Sequence, residues 1–251
     1  MTARSTARFF ADLPLLSGSS ISLPDSTARH VQVLRLQPGD HITLFNSQAG
    51  PEGEFDASVT RMGRSDVDVT VGAVTATHRE AARPIHLAVS MPANERMDWL
   101  VEKACERGAA SIQPLMSERS VLRLKSDRAD KKSIHWRGIA VAACEQCGRN
   151  RLPVIHEVHT LADWLKTLSQ RGPADAREAR LLLSLQTGAS PLSAAVAVEQ
   201  SLTFLSGPEG GLSPAEEAAA MACGFAPVTL GPRVLRAETA PLACLSLLGL
   251  S

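Results

Sequence analysis

The stretch SGPEGGLSPAEE, Ser206 to Glu217, sets three glycines, two prolines and the carboxylate of Glu209 at the start of what reads as a helix. Glycine-rich turns at helix starts hold phosphates because free backbone N–H groups and the positive end of the helix dipole meet the anion. Here Glu209 lies between the glycines and no Lys follows, so a phosphate is disfavoured. A neutral or cationic ligand with hydroxyls fits better. Ser213, Pro214 and Glu216 match N-cap, N1 and N3 of a capping box, which ends the loop at Leu212 and predicts a helix to about Gly224. A tight strand-to-helix turn whose glycines serve geometry alone reads the same residues equally well.

A second constellation lies in TLGPRVLRAETAPLACLSLLGL, Thr229 to Leu250, where Arg233, Arg236 and Glu238 crowd the entry to an apolar helix. Pro241 is tolerated only in the first turn of that helix, which places Glu238 and Thr239 at its N-terminus. Taken alone, an N-cap carboxylate paired with a nearby Arg is the simpler reading. A third stretch, AVAACEQCGRNRLP, holds Cys144 and Cys147 one helical turn apart with Gly148 ending the helix. A zinc site needs a second pair or histidines at ligand spacing, and the seven histidines of the chain show no such spacing, so these cysteines read as buried small side chains. Arg149, Asn150 and Arg151 follow as a candidate anion or base contact. Between Glu118 and Arg137 lies the densest basic run, including Arg119, Arg123, Lys125, Lys131 and Lys132, either a solvated helix face or part of an RNA surface with Arg29 and Arg35.

The elements that must position these residues change character along the chain. HITLFN, GEFDASVTRM and DVDVTVGAV alternate in period two and predict a small β domain over residues 1–75. Residues 76–84 carry no apolar period and form the predicted linker. From residue 85 to 251, IHLAVSM, AASIQPL, LTFLSG and FAPVTLG read as strands alternating with helices such as NERMDWLVEKACERG, which predicts an α/β layer with a mainly parallel sheet. Ligands of such sheets sit at the carboxyl ends of strands, where both glycine-bearing loops fall.

The 251 residues carry 26 basic and 26 acidic side chains, so no global charge argues for a polyanionic partner. No signal-like or membrane-length apolar run is present, and the odd set of five cysteines sits in apolar segments. A cytoplasmic protein with reduced thiols and no metal is the expectation.

Together, IAVAACEQCGRNRLPVI, LSGPEGGLSPAE and LGPRVLRAETA, in this order and ending at the C-terminus, resemble the bacterial small-subunit ribosomal RNA methyltransferases that act on N3 of a uracil. RHVQVLRLQPGD and MDWLVEKACERGAASIQPLMSERS extend the resemblance over nearly the whole chain. It implies an N-terminal PUA-like β-barrel and a C-terminal SPOUT α/β domain with a deep trefoil knot, an exception to the rule that chains avoid threading. It further implies S-adenosylmethionine as cofactor, a homodimer, and 16S ribosomal RNA as partner. Carried over by motif, the cofactor lies on Gly207, Glu209, Gly210 and Gly211, on Leu230 and Gly231, and on Leu235, Arg236, Glu238, Thr239 and Ala240. Arg107, Ala237 and Pro241 depart from the usual family pattern, and Ala237 removes a hydroxyl near that site.

Uracil N3 becomes a good nucleophile on deprotonation, with charge spreading onto O2 and O4. A donor aimed at that charge is expected from Arg236 first and Arg233 second, with Glu238 as the nearest carboxylate to take the proton. Glu209 would offset the sulfonium charge or accept from ribose. Arg29, Arg35, Arg119, Arg149, Asn150 and Arg151 are the expected RNA contacts, around a pocket that receives an unstacked base. Methylation of a ribose 2′-hydroxyl or of guanine N1, and a non-catalytic RNA-binding assembly factor, are the competing readings.

Overall fold

The computed structural model describes residues 6–47, 53–172, 177–197 and 201–249. The chain divides into two units, Met1–Glu80 with Cys144–Leu152, and Ala81–Ala143 with Pro153–Ser251.

The first unit is built on a five-stranded sheet. Its elements are β1 (Arg8–Phe10), β2 (Ser20–Ser22), α1 (Asp25–Val33), β3 (His41–Phe45), β4 (Gly53–Met62) and β5 (Val67–Ala76). The strand order is β1-β3-β4-β5-β2, with β1 parallel to β3 and the other neighbours antiparallel. In β4, Phe55, Ala57 and Val59 are buried while Asp56 and Thr60 are exposed, the period-two signature of a sheet with one covered face. Those residues join Phe9, Ile42, Leu44, Val67, Val69 and Val71, with Ala28 and Val31 of α1, in one apolar core. Burial of this kind contributes about 25 cal/mol per Å² and outweighs the weak propensity of so short a helix.

The second unit is a parallel sheet with helices. Its elements are β6 (Ile85–Ser90), α2 (Asn94–Glu106), β7 (Ser111–Met116), α3 (Ser126–Cys147, whose last turn belongs to the first unit), β8 (Val154–Ile155), β9 (His159–Thr160), α4 (Leu161–Gln170), β10 (Glu178–Leu183), β11 (Ser190–Pro191), α5 (Leu192–Ala195), β12 (Ser201–Ser206), α6 (Pro214–Ala222), β13 (Ala226–Thr229) and α7 (Thr239–Gly249). The order is β11-β13-β10-β12-β6-β7-β8, with β9 also on β7 and every recorded pairing parallel. The strands and helices read from the alternating pattern are therefore present. Leu161, Leu165 and Leu168 of α4 and Ala220 of α6 cover Ala88, Leu115, Leu182 and Leu205 on one sheet face, while α7 packs on β6 and β12. No helix among the described residues is long and apolar enough to cross a membrane.

Candidate functional site

Three loops meet where β10, β12 and β13 end. The turn after β12 runs from Gly207 to Leu212 and stops where expected. Ser213 caps α6, accepting from the Glu216 N–H at 3.3 Å, while Glu216 Oε2 accepts from the Ser213 N–H at 2.9 Å. The other oxygen of Glu216 accepts from the Glu118 N–H at 2.7 Å, so one carboxylate caps a helix and ties down the loop after β7. The next residue of that loop, Arg119, donates to the Gly210 carbonyl at 2.9 Å.

Between these loops lies a cavity of about 430 Å³, within the size range of small-molecule sites. Gly207, Glu209, Gly210 and Gly211 line it from one loop, and Leu230, Gly231, Leu235, Arg236 and Ala240 from the other. Arg233 and Arg119 also line it. Two residues expected there do not: Glu238 and Thr239 are absent from the lining. Glu238 is 8 % exposed, its Oε1 is 3.9 Å from Arg96 Nε, and its Oε2 has no hydrogen-bond partner among the described residues.

Sequence reading missed Arg96. It stands in the first turn of α2, lines the cavity, and places Nη1 3.4 Å from Glu209 Oε1, which also accepts from the Ala93 N–H at 3.1 Å. One guanidinium thus contacts carboxylates from both cavity loops, leaving Glu209 Oε2 as the oxygen outside that arrangement. A single Arg at a helix start carries no sequence signal of such a role. Ser184 and Glu217 were missed as well. Burial raises the Glu217 carboxyl above its ordinary range, opposed by hydrogen bonds with Ser184 and Gln186, so this wall of the cavity is polar.

The cavity carries both signs of charge, with Glu209 and Glu217 among the guanidiniums of Arg96, Arg119, Arg233 and Arg236. Gly211 and Gly231 adopt φ of +69° and +106° with open space beside them, and the buried Ser206 hydroxyl in the lining has no partner among the described residues. A hydroxyl in that state gains from a polar atom of a bound organic group, and the carboxylates suit a ligand that carries a positive centre.

The first unit engages two of the expected RNA contacts in hydrogen bonds of its own. Arg149 and Asn150 are 5 % and 7 % exposed. Arg149 donates to Glu80, and Asn150 accepts from Arg8 Nη2 at 2.9 Å and donates to the Thr77 carbonyl at 3.3 Å. Their polar atoms are spent inside the unit, holding Cys144–Leu152 to it, together with Glu145, which accepts from the Phe10 N–H at 3.0 Å. Arg151 is exposed, as are Arg29 and Arg35, and Arg35 holds a left-handed φ of 56°. Cys144 is buried and Cys147 half-buried, neither in a disulfide, and the hydrogen bond with Cys144 together with burial raises the Cys147 thiol far above its ordinary value. Among the described residues no group of three or more His, Cys, Asp or Glu is placed to hold a metal.

Comparison with known proteins agrees with the geometry. The family model of the RNA methyltransferase domain matches residues 79–249. The chain is 31% identical over 261 residues, 95% of this chain and 94% of the relative, to ribosomal RNA small subunit methyltransferase E of Bacillus subtilis. Among solved structures it is similar to the protein of that name from Neisseria gonorrhoeae bound to S-adenosyl methionine, at 33% identity, 96% coverage of each chain and a TM-score of 0.87. A Legionella pneumophila methyltransferase structure in complex with SAM gives 32% identity, a TM-score of 0.88, and coverage of 98% of this chain and 97% of that one. A parallel α/β unit with a glycine-lined cavity at its strand ends, matched over nearly its full length by these relatives, belongs to the ribosomal RNA small subunit methyltransferase E family of RNA methyltransferases.

Proposed function

We propose that this enzyme transfers a methyl group from S-adenosylmethionine to N3 of a uracil in 16S ribosomal RNA, with the cofactor in the cavity at the ends of β10, β12 and β13. The observation that carries the reading is the convergence of Gly207–Leu212 and Leu230–Ala240 on one cavity lined by both carboxylates and guanidinium groups. Gly207, Glu209, Gly210, Gly211, Leu230, Gly231, Leu235, Arg236 and Ala240 are the residues that would hold the cofactor. When bound, it supplies an electrophilic methyl on a sulfonium.

The chain's own contribution is positioning and charge. Glu209, held through Oε1 by Ala93 and Arg96, would offset positive charge on the bound ligand. Arg236 and Arg233 are exposed cavity residues, available to donate to the uracil oxygens as N3 loses its proton. Glu238 is buried beside Arg96, so we assign it to orienting Arg96 instead of receiving the N3 proton, which leaves to solvent.

We further infer a PUA-like RNA-binding domain in the first unit, with Arg29, Arg35 and Arg151 as contacts and Arg119 as a contact at the cavity. A deep trefoil knot near the C-terminus is supported by β13 lying between β11 and β10 while α7 returns to β6 and β12. A homodimer in the cytoplasm, acting on RNA of the small subunit, completes the reading.

The test is incubation with labelled S-adenosylmethionine and small subunits or ribosomal RNA lacking the methylation, followed by mass-spectrometric mapping. Label on uracil N3 is expected. Cofactor binding with no label in RNA refutes it, and label on ribose or guanine reassigns the acceptor. Arg236→Ala should lower turnover far more than cofactor affinity, and equal loss of both would leave Arg236 a binding role alone.

A further inference from the structure

Ser206 is the last residue of β12 and is 3 % exposed. Its Oγ is buried with no hydrogen-bond partner among the described residues, and the residue lines the cavity. Leu205 belongs to the core under α4 and α6, so by strand alternation Ser206 turns to the opposite face, that of α7, whose Ala240 lines the same cavity. A buried hydroxyl without a partner carries the whole desolvation cost of its polar atom, and folded proteins keep few such groups unless a ligand or water meets them. Alanine or valine would end this strand without that cost. Several other polar groups of the lining are engaged already, Glu209 Oε1 with Ala93 and Arg96, Arg119 with the Gly210 carbonyl, and Glu217 with Gln186, while Arg233 and Arg236 are exposed.

We propose that the Ser206 hydroxyl is a direct contact to the nucleoside half of the methyl donor, meeting a ring nitrogen or ribose oxygen at the cavity floor. The inference rests on the reading that this cavity holds the cofactor. It assigns the nucleoside half for a physical reason. The charged amino-acid half is expensive to desolvate and belongs at the exposed part of the lining, where its carboxylate can meet a guanidinium such as Arg119, whereas uncharged adenosine atoms tolerate burial beside a 3 % exposed serine.

Calorimetric titration of S-adenosylmethionine and of 5′-methylthioadenosine, which lacks the amino-acid half, into wild type and Ser206→Ala tests this. Both ligands should bind Ser206→Ala about three- to tenfold more weakly, the worth of one neutral hydrogen bond. The ligand-free variant should melt no lower than wild type, because it loses an unsatisfied polar atom and no bond. Unchanged affinity for both ligands overturns the proposal, and so does a lowered melting temperature with unchanged affinity, which marks a structural serine. A loss confined to S-adenosylmethionine overturns the assignment to the nucleoside half. Failure of wild type to bind either ligand strikes the cofactor reading instead. If Ser206→Ala does not fold, Ser206→Cys, with similar volume and a weak donor, should show the same loss for both ligands.

Discussion

Arg149 grips one oxygen of Glu80 with two donors, Nε at 2.8 Å and Nη2 at 2.6 Å, while the other oxygen accepts from the backbone N–H groups of Asn150 at 3.3 Å and Arg151 at 3.2 Å. The two residues are 69 apart in sequence, and the carboxylate satisfies four donors that would otherwise compete for water. Arg8 adds hydrogen bonds to the Arg149 carbonyl and to Asn150, and pairs with Glu54, which also pairs with Arg79. Removing one partner of a buried ion pair strands the other, so Arg149→Ala should destabilise the protein by about 3 kcal/mol. Arg149→Lys should not restore it, since an ammonium cannot make the forked contact. Urea unfolding measures this. An Arg149→Ala variant of wild-type stability that has lost RNA affinity would return Arg149 to the RNA surface.

Arg96 connects the two cavity loops through Glu209 at 3.4 Å and Glu238 at 3.9 Å. Its loss leaves Glu209 held, among the described residues, by the Ala93 N–H alone and removes the Arg96 contact of the buried Glu238. Arg96→Ala should lower kcat on the order of 100-fold, the scale of an ångström-level misplacement in a reacting site. Arg96→Lys should retain a substantial part of the activity. A double-mutant cycle with Glu209→Gln should give a coupling of about 1 kcal/mol in cofactor binding. Additive effects would show that the contact does not act as a unit.

What the sequence made legible follows the range of the forces involved. The capping box at Ser213 to Glu216 and the helix stop at Gly148, with φ +88°, are local and were readable. Strand alternation placed both glycine loops at strand ends, because burial enforces its own period. The bonds of Arg149 and Asn150 to Glu80 were not readable, because a basic residue and its neighbour after a helix look the same whether they face solvent or a carboxylate far along the chain. β1 was missed because three residues carry too little pattern to declare a strand, and its partner β3 lies far along the chain. Arg96, Ser206 and Glu217 matter through where three loops converge, which no spacing along one segment encodes.

Two glycines of the cavity should answer differently to the same substitution. A Cβ on Gly207 would stand 2.8 Å from the Leu212 backbone nitrogen and 3.0 Å from the Gly211 carbonyl carbon, so only a backbone shift could admit it. At Gly211 a Cβ would meet nothing within 4 Å, and the cost is the left-handed φ of +69°, about 1–2 kcal/mol. Gly207→Ala should therefore weaken cofactor binding on the order of tenfold or more, and Gly211→Ala should do so less. Calorimetry with S-adenosylmethionine decides it, and equal losses would mean that the loop yields at Gly207.

His86 gives a pH dependence with a definite sign. Burial, then the neighbouring His156, lowers its imidazole below the ordinary value of 6.5, against a smaller opposing pull from Glu178. Its Nδ1 lies 2.7 Å from Ser111 Oγ, a hydrogen bond the neutral ring makes in either tautomer, as donor or as acceptor. Below about pH 6.5 the unfolded chain takes up a proton at this residue that the folded chain resists. The stability tied to His86 is therefore present above that pH and declines as pH falls through its lowered value. Urea midpoints measured at pH 7.5, 6.5 and 5.5 should fall in that order for the wild-type protein. His86→Gln keeps a polar partner for Ser111 but cannot titrate, so its midpoints should fall less steeply. Parallel curves for the two proteins would place the imidazole's titration at its ordinary value in the folded state.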